Sequence, residues 1–544
     1  MKQAMRMICF IKAHRLQITI GKRSLLFLLG SLFIMASMAQ PTVFAAPKTL
    51  VYSWPCNVGP LNPHLYSPNQ MFAQAMVYEP LVRYGRDGSI MPWLAQRWEI
   101  SADGREYTFH LRRKVFFSDG TPFDAEAVKK NHDAVLANAK RHTWLEMTRQ
   151  IEETRVIDAY TVKVILKESY YPFLQDLALV RPMRYLSPSA LPKNGNSADG
   201  IKAAVGTGPW VLKESKLGEY DLFERNKGYW GAKPAVEKLL IKVIPDPNTR
   251  AVAFETGEID LIYGDGQISL DTFARYRSNP TFKTLVSQPL ATRTLAMNSN
   301  RGATRELAVR RAIEHAVDKD AIVKGIFLNT EIKADTLYAA NIPYCDIDLT
   351  SYAFNPSRAE QILDAAGWGK TSAGQFRTKE GRVLSVDLCF VGNNAVMKAM
   401  AEVVQSDLQK IGIKVNLLGE ETDSFYKRQR EGQFDLIFND TWGPPYEPHS
   451  YLSSWRVPSH ADYQAQAGLT MKADIDAAIG RVLTTLDPVQ RQEIYRDILT
   501  TIHTQAVYLP ISYTTGVIVH RPVLSDVSYG PTKNEIPFEA MIKQ

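Results

Sequence analysis

The chain has 544 residues, 45% hydrophobic and 22% charged, which excludes a disordered or collagenous protein and exceeds one ordinary core. Its formal charge of +7 gives no support for nucleic-acid binding: residues 1–45 hold six basic side chains and no acidic one, leaving 58 basic against 57 acidic residues, about +1. Four cysteines without CxxC spacing exclude a disulfide framework and a cysteine zinc site. Beyond residue 45, Cys56, Cys345 and Cys389 leave room for one disulfide at most.

In chain order, Lys2, Arg6, Lys12, Arg15, Lys22 and Arg23 precede an apolar run from Leu25 to Met38. That is a signal peptide of secretory type, too short for a comfortable membrane span, with Val43 and Ala45 allowing cleavage before Ala46. No lipobox cysteine follows, so no lipid anchor is expected. Trp98–Ile100 and Tyr107–Leu111 flank Ala102-Asp103-Gly104, and Tyr107, Phe109 and Leu111 alternate with polar residues, predicting a hairpin. Asp124 is placed to cap a helix running towards Leu136. Asn355-Pro356 opens a helix that closes near Gly367, and Asp487-Pro488 opens another reaching about His503. Between them, Val383–Val391 reads as a strand, Ala395–Lys410 as an amphipathic helix and Ile413–Leu417 as the next strand. This βαβ unit requires a partly parallel sheet, so the class is α/β, or mixed α+β, with several lobes.

One stretch resists a period. After the strand-like Phe434–Phe438, residues 439–462 carry Gly443, Pro444, Pro445, Pro448 and Pro458. Ordered loops of that length are often functional, and ligands gather beyond the carboxyl ends of strands in α/β sheets. Trp442, Tyr446, His449, Trp455, Arg456 and His460 on this loop are the site candidates that pattern alone offers. Catalytic motifs do not appear. Neither H-E-x-x-H nor G-x-S-x-G is present, and Gly369-Lys370-Thr371 fails as a phosphate loop because Asp364 stands where the first glycine is required. Gly206-Thr207-Gly208-Pro209-Trp210 reads as a tight turn, and His315 as a structural or surface histidine on a helix. Nothing here points to an enzyme.

Several segments, in order, resemble the large substrate-binding proteins of peptide and nickel ABC importers. They are Met76-Val77-Tyr78-Glu79-Pro80-Leu81-Val82, Pro92-Trp93-Leu94-Ala95, Ser118-Asp119-Gly120-Thr121-Pro122-Phe123, the Gly206–Trp210 turn, Ala253–Asp260 and Tyr508-Leu509-Pro510-Ile511. The resemblance implies a bilobed periplasmic-binding-protein fold with a ligand cleft and a hinge crossed near Ser287–Asn298 and Ile511–His520. Lobe I is then discontinuous, residues 46–289 and 512–544, and lobe II spans 290–511. It further implies a periplasmic monomer, freed of its signal peptide, that delivers ligand to ABC permease subunits at the inner membrane.

Within that family, Asn57–Tyr66, Arg141-His142-Thr143-Trp144-Leu145-Glu146, Thr441-Trp442-Gly443 and Arg456–Asp462 are similar to the nickel-binding members. Carried over residue by residue, the resemblance puts the metal-contacting histidine at His460. Arg141 and Arg181 become the grips for a chelator's carboxylates, with Tyr66, Met71, Trp144, Trp442 and Tyr446 lining the cleft. One imidazole is a poor cage for a bare Ni²⁺, which prefers four to six donors, whereas guanidinium groups grip carboxylates bidentately. The expected cargo is therefore Ni²⁺ already chelated by L-histidine or a similar small carboxylate. Two departures bear on the cleft: Glu447 stands where aspartate is expected, and Asn534 where threonine is. Cys56 is expected as a small buried hydrophobe. The alternative ligand is a peptide or an opine metallophore. Peptide readers usually place an acidic residue against the peptide's amino terminus, and Gly443-Pro444-Pro445-Tyr446 offers none.

Overall fold

In a computed structural model, residues 48–65, 70–370 and 375–544 are described. The expected signal peptide and Tyr66 lie outside them. The secondary structure is mixed, with seven sheets and helices packed between and around them. Two sheets meet where the chain crosses between them twice. A three-stranded sheet runs Leu261–Tyr263, Val517–His520, Lys283–Val286 in spatial order, all antiparallel. A six-stranded sheet runs Ile332–Lys333, Tyr508–Thr514, Ala291–Met297, Leu436–Phe438, Ser385–Val391, Lys414–Glu420. The first crossing, residues 287–290, and the second, Thr515–Gly516, lie side by side. Ser287 N–H donates to Gly516 O at 3.0 Å, and Gly516 N–H donates back to Ser287 Oγ at 2.8 Å.

The βαβ unit is present as expected. Ser385–Val391 and Lys414–Glu420 pair in parallel around the helix Ala395–Lys410, whose Met400, Val404 and Leu408 are buried. The predicted strand starts later than Val383, because Arg382–Val383 turns back to pair with Thr378–Lys379. The hairpin Ala95–Ile100/Glu106–Leu111 forms with Tyr107, Phe109 and Leu111 on its buried face. Helix starts follow their caps: Asp124 accepts from Ala127 N–H, Asn355 from Arg358 N–H, and Asp487 from Val489 and Gln490 N–H.

The Gly206–Trp210 turn explains its two glycines by close approach. A Cβ on Gly206 would stand 2.0 Å from the Val77 carbonyl oxygen, and one on Gly208 2.4 Å from that of Met76. Cys56 departs from expectation: it is exposed, and Gln70 Nε2 donates to its sulfur at 3.1 Å. Cys345 and Cys389 are buried, and all three are free thiols, so the one allowed disulfide does not form among the described residues.

A hydrophobic cluster joins the antiparallel sheet of residues 95–166 to the helices between His449 and Thr504 through Tyr107, Phe173, Tyr451, Trp455 and Tyr495. Tyr171 N–H donates to Leu483 O at 3.0 Å, and the Tyr171 and Tyr495 hydroxyls meet at 2.6 Å. These contacts carry the two sides of the aromatic site described next. Among the described residues, no helix is long and apolar enough to cross a membrane.

Candidate functional site

The irregular stretch 439–462 leaves the carboxyl end of the strand Leu436–Phe438 and contains the short helix His449–Ser454 that pattern did not foresee. Its candidates divide. His449 and Trp455 turn inward: His449 Nε2 bonds the buried Asp176 carboxylate at 2.9 Å, and Trp455 is fully buried. Arg456 pairs with Glu146 at 3.0 Å. Trp442, Tyr446 and His460 gather on the other side. The Trp442 ring lies 6.0 Å from His460, 6.0 Å edge-on to Tyr446 and 5.7 Å edge-on to Trp144. Trp144 closes the triangle at 6.0 Å from Tyr446. The Tyr446 hydroxyl points at Met71 Sδ, 4.0 Å away, at the start of the helix Met71–Val77. Four of the expected lining residues thus meet from three distant stretches of chain.

Arg181 stands beside them. It is half-buried, and although burial pushes the Tyr446 phenol up to about 12, the Arg181 guanidinium opposes that rise. Three residues on, Arg184 fixes this segment by donating to the carbonyls of Leu179 at 2.9 Å and Tyr78 at 3.0 Å, and pairs with Glu535 at 3.3 Å. Arg141 is exposed on the turn Ala139–His142, three residues before Trp144.

His460 precedes the helix Ala461–Gln466, and its N–H donates to Val457 O at 3.0 Å. Burial holds its imidazole below the ordinary histidine range, with Asp462 opposing. A neutral ring nitrogen is the form that binds metal. Asp462 anchors the segment: its Oδ1 accepts from Tyr508 at 2.7 Å and from Tyr451 and Asn439 at 2.9 Å each. Glu447, the first departure, is buried beneath the loop and accepts the Gly443 N–H at 2.7 Å. Burial pushes its carboxyl up to about 7. Its longer side chain therefore holds the backbone that presents Trp442 and Tyr446. Among the described residues, no three His, Cys, Asp or Glu side chains converge as a metal cage.

Met71 also lines a second space. A cavity of about 300 Å³ lies against the chain crossings, between Trp54, Phe72, Tyr263, Tyr529 and the segment Thr532–Asn534. Asp265, Arg293, Asp440 and Lys533 supply its charges. Sequence reasoning missed these four; only Asp440 belongs to a stretch that pattern had marked.

Residues 89–463 match the bacterial extracellular solute-binding proteins, family 5 Middle. The chain belongs to this family. It is 52% identical over 511 residues to the nickel-binding periplasmic protein of Escherichia coli (strain K12), covering 94% of this chain and 97% of that protein. The crystal structure of NikA from Brucella suis in complex with Fe(III)-EDTA is 56% identical, with a TM-score of 0.90 over 91% of this chain and all of that one. The fold extends to more distant proteins: NikZ from Campylobacter jejuni, 23% identical, superposes with a TM-score of 0.75 over 92% of this chain and 100% of its own. The solute-binding family fixes the fold as bilobed and the role as the capture component of an importer.

Proposed function

We propose that this protein captures a chelated nickel ion in the periplasm and delivers it to the permease of an ABC importer. The observation that carries the reading is the placement of a single half-buried imidazole, His460, against Trp442 within the cluster of Trp144, Tyr446 and Met71. Its weight comes from the 52% identity to a nickel-binding periplasmic protein. His460 supplies one nitrogen to the metal, and the remaining donors come with the cargo, L-histidine or a similar small carboxylate. Arg181, and Arg141 on the exposed turn, take the chelator's carboxylates. A guanidinium keeps its charge at any physiological pH and offers two parallel donors. The aromatic walls exclude water and so strengthen those ion pairs. Tyr66 completes the lining in this reading.

The hinge lies at the paired crossings 287–290 and Thr515–Gly516. Lobe I is residues 46–289 with 512–544, and lobe II is 290–511, closing over the chelate so that the permease meets a closed surface. The working protein is a monomer, freed of residues 1–45, and performs no chemistry on its ligand.

Native mass spectrometry of the chain from residue 46 tests the reading. Incubation with Ni²⁺ and L-histidine is expected to add the mass of metal plus chelator, and Ni²⁺ alone to add little. A peptide adduct from a mixed dipeptide pool, with no nickel adduct, contradicts it and favours the peptide alternative.

A further inference from the structure

The cavity beside the aromatic site carries charges that the chelate reading does not use. Arg293 is shared by three carboxylates. Its Nε donates to both Glu331 oxygens, at 2.9 and 3.1 Å, while Nη1 and Nη2 reach Asp440 at 3.4 Å and Asp265 at 3.2 Å. Glu331 is occupied further by Ser512 Oγ at 2.5 Å. One guanidinium cannot satisfy the lone pairs of three carboxylates, so Asp440 and Asp265 keep acceptor capacity facing the cavity. Across from them, Lys533 lines the same space. Its side chain is open to the cavity, yet protein surrounds it closely enough that burial lowers its ammonium's pKa, against the pull of Glu447, Asp440 and Asp265. No carboxylate among the described residues closes an ion pair with it.

We propose that this cavity is a second recognition pocket, one that takes an α-ammonium carboxylate group, the two charged ends of an amino-acid unit. The ammonium lies on Asp440 and Asp265, and the carboxylate on Lys533. A purely anionic group would meet two carboxylates, and a purely cationic one would meet Lys533 and Arg293. A group with both charges satisfies both sides. The remaining wall fits an apolar or aromatic side chain: Trp54 and Phe72 stack with centroids 4.8 Å apart, next to Met71. At about 300 Å³ the space is at the small end of ligand pockets, sized for one such unit and not a peptide. Asn534, the second departure from the family pattern, also lines it.

The pocket rests on the nickel-chelate reading for its neighbour, since Met71 belongs to both. The amino-acid unit is either a second arm of the bound chelate or a separate amino acid. Calorimetry of wild type, Lys533→Met and Asp440→Asn separates the cases, with thermal melting to confirm folding. The titrants are Ni²⁺ with excess L-histidine, Ni²⁺ with iminodiacetate, which has no ammonium arm, and metal-free L-methionine. In both variants the affinity for the nickel–histidine complex, or for L-methionine, is expected to fall at least tenfold more than for nickel–iminodiacetate. Loss in the nickel–histidine titration identifies the arm of the chelate, and loss in the L-methionine titration a separate amino acid. Changes under twofold in both titrations overturn the pocket. Failure of the nickel reading shows instead in wild type, as silence towards both nickel complexes, and the L-methionine titration then decides on the cavity alone.

Discussion

The ring of Trp442 lies 6.0 Å from that of His460, tilted by 50°, so one face of the imidazole is dry while its edge stays open to the cleft. That arrangement makes His460 a metal donor of modest reach. His460→Ala is expected to weaken binding of nickel–histidine by at least about tenfold, the scale on which perturbed metal sites lose affinity. Binding of the metal-free chelator should change far less. Equal losses for both, measured by calorimetry, would show that His460 does not touch the metal.

Arg181 acts on the chelator, not the metal. Arg181→Ala is expected to cost about 2–5 kcal/mol in chelate binding, because a carboxylate is left unpaired in a dry cleft. Arg181→Lys should recover part of it, since an ammonium replaces the charge but not the bidentate fork. A loss below a few tenths of a kcal/mol removes Arg181 from the site.

The packed indoles of Trp144 and Trp442 should report the ligand directly. Binding is expected to change tryptophan fluorescence, and Trp442→Phe should abolish most of that change while leaving the far-ultraviolet circular dichroism intact. An unaltered ligand response in Trp442→Phe would place the ligand away from this wall.

Much of this arrangement was legible in the sequence because it is local. Asp124, Asn355-Pro356 and Asp487-Pro488 mark helix starts by side-chain caps that need no tertiary partner. The βαβ unit followed from periodicity, and Trp442, Tyr446 and His460 from an irregular stretch together with the family resemblance. Pattern did not separate His449 and Trp455 from them, since burial on one side of a loop depends on distant elements such as the helix bearing Asp176. The cavity was invisible for the same reason. Asp265, Arg293, Asp440 and Lys533 come from four separate segments, and only the crossings between the two sheets bring them together. Cys56 was misread because its exposure depends on how Gln70 packs beside it.

Asp462 links stability to the site. Its Oδ1 receives three donors while buried, and burial, its leading influence, raises its carboxyl's pKa. Asp462→Asn keeps an acceptor oxygen and should be mild. Asp462→Ala strands two tyrosine hydroxyls and is expected to cost about 2–4 kcal/mol in chemical denaturation. It should also weaken nickel–histidine binding by releasing His460.

Acid sensitivity follows from two buried neutral histidines near the amino end. Burial pushes His64 down from 6.5 to about 4 and His132 down to about 3. Their ring nitrogens are held by Ser197 and Asn131, and by Thr154 and Tyr185. The unfolded chain binds protons first, so their stabilisation is complete above pH 6.5 and is lost as pH falls towards 4. Each contributes on the order of a few kcal/mol by the lower end. Glu447, raised to about 7, acts in the opposite sense, so the contribution is read as a difference. His132→Gln should flatten the slope of unfolding free energy against pH between 6.5 and 4. An unchanged slope would mean that His132 is already protonated in the fold.

Isothermal titration of the metal-stripped chain from residue 46 decides the ligand most directly. The titrants are Ni²⁺ alone, Ni²⁺ with L-histidine, and a mixed dipeptide pool. Tight binding is expected only where nickel and histidine are both present, and it should fall in His460→Ala and Arg181→Ala. Tight binding of dipeptides with indifference to nickel would keep the fold and the transport role but overturn the ligand and the parts given to His460, Arg141 and Arg181.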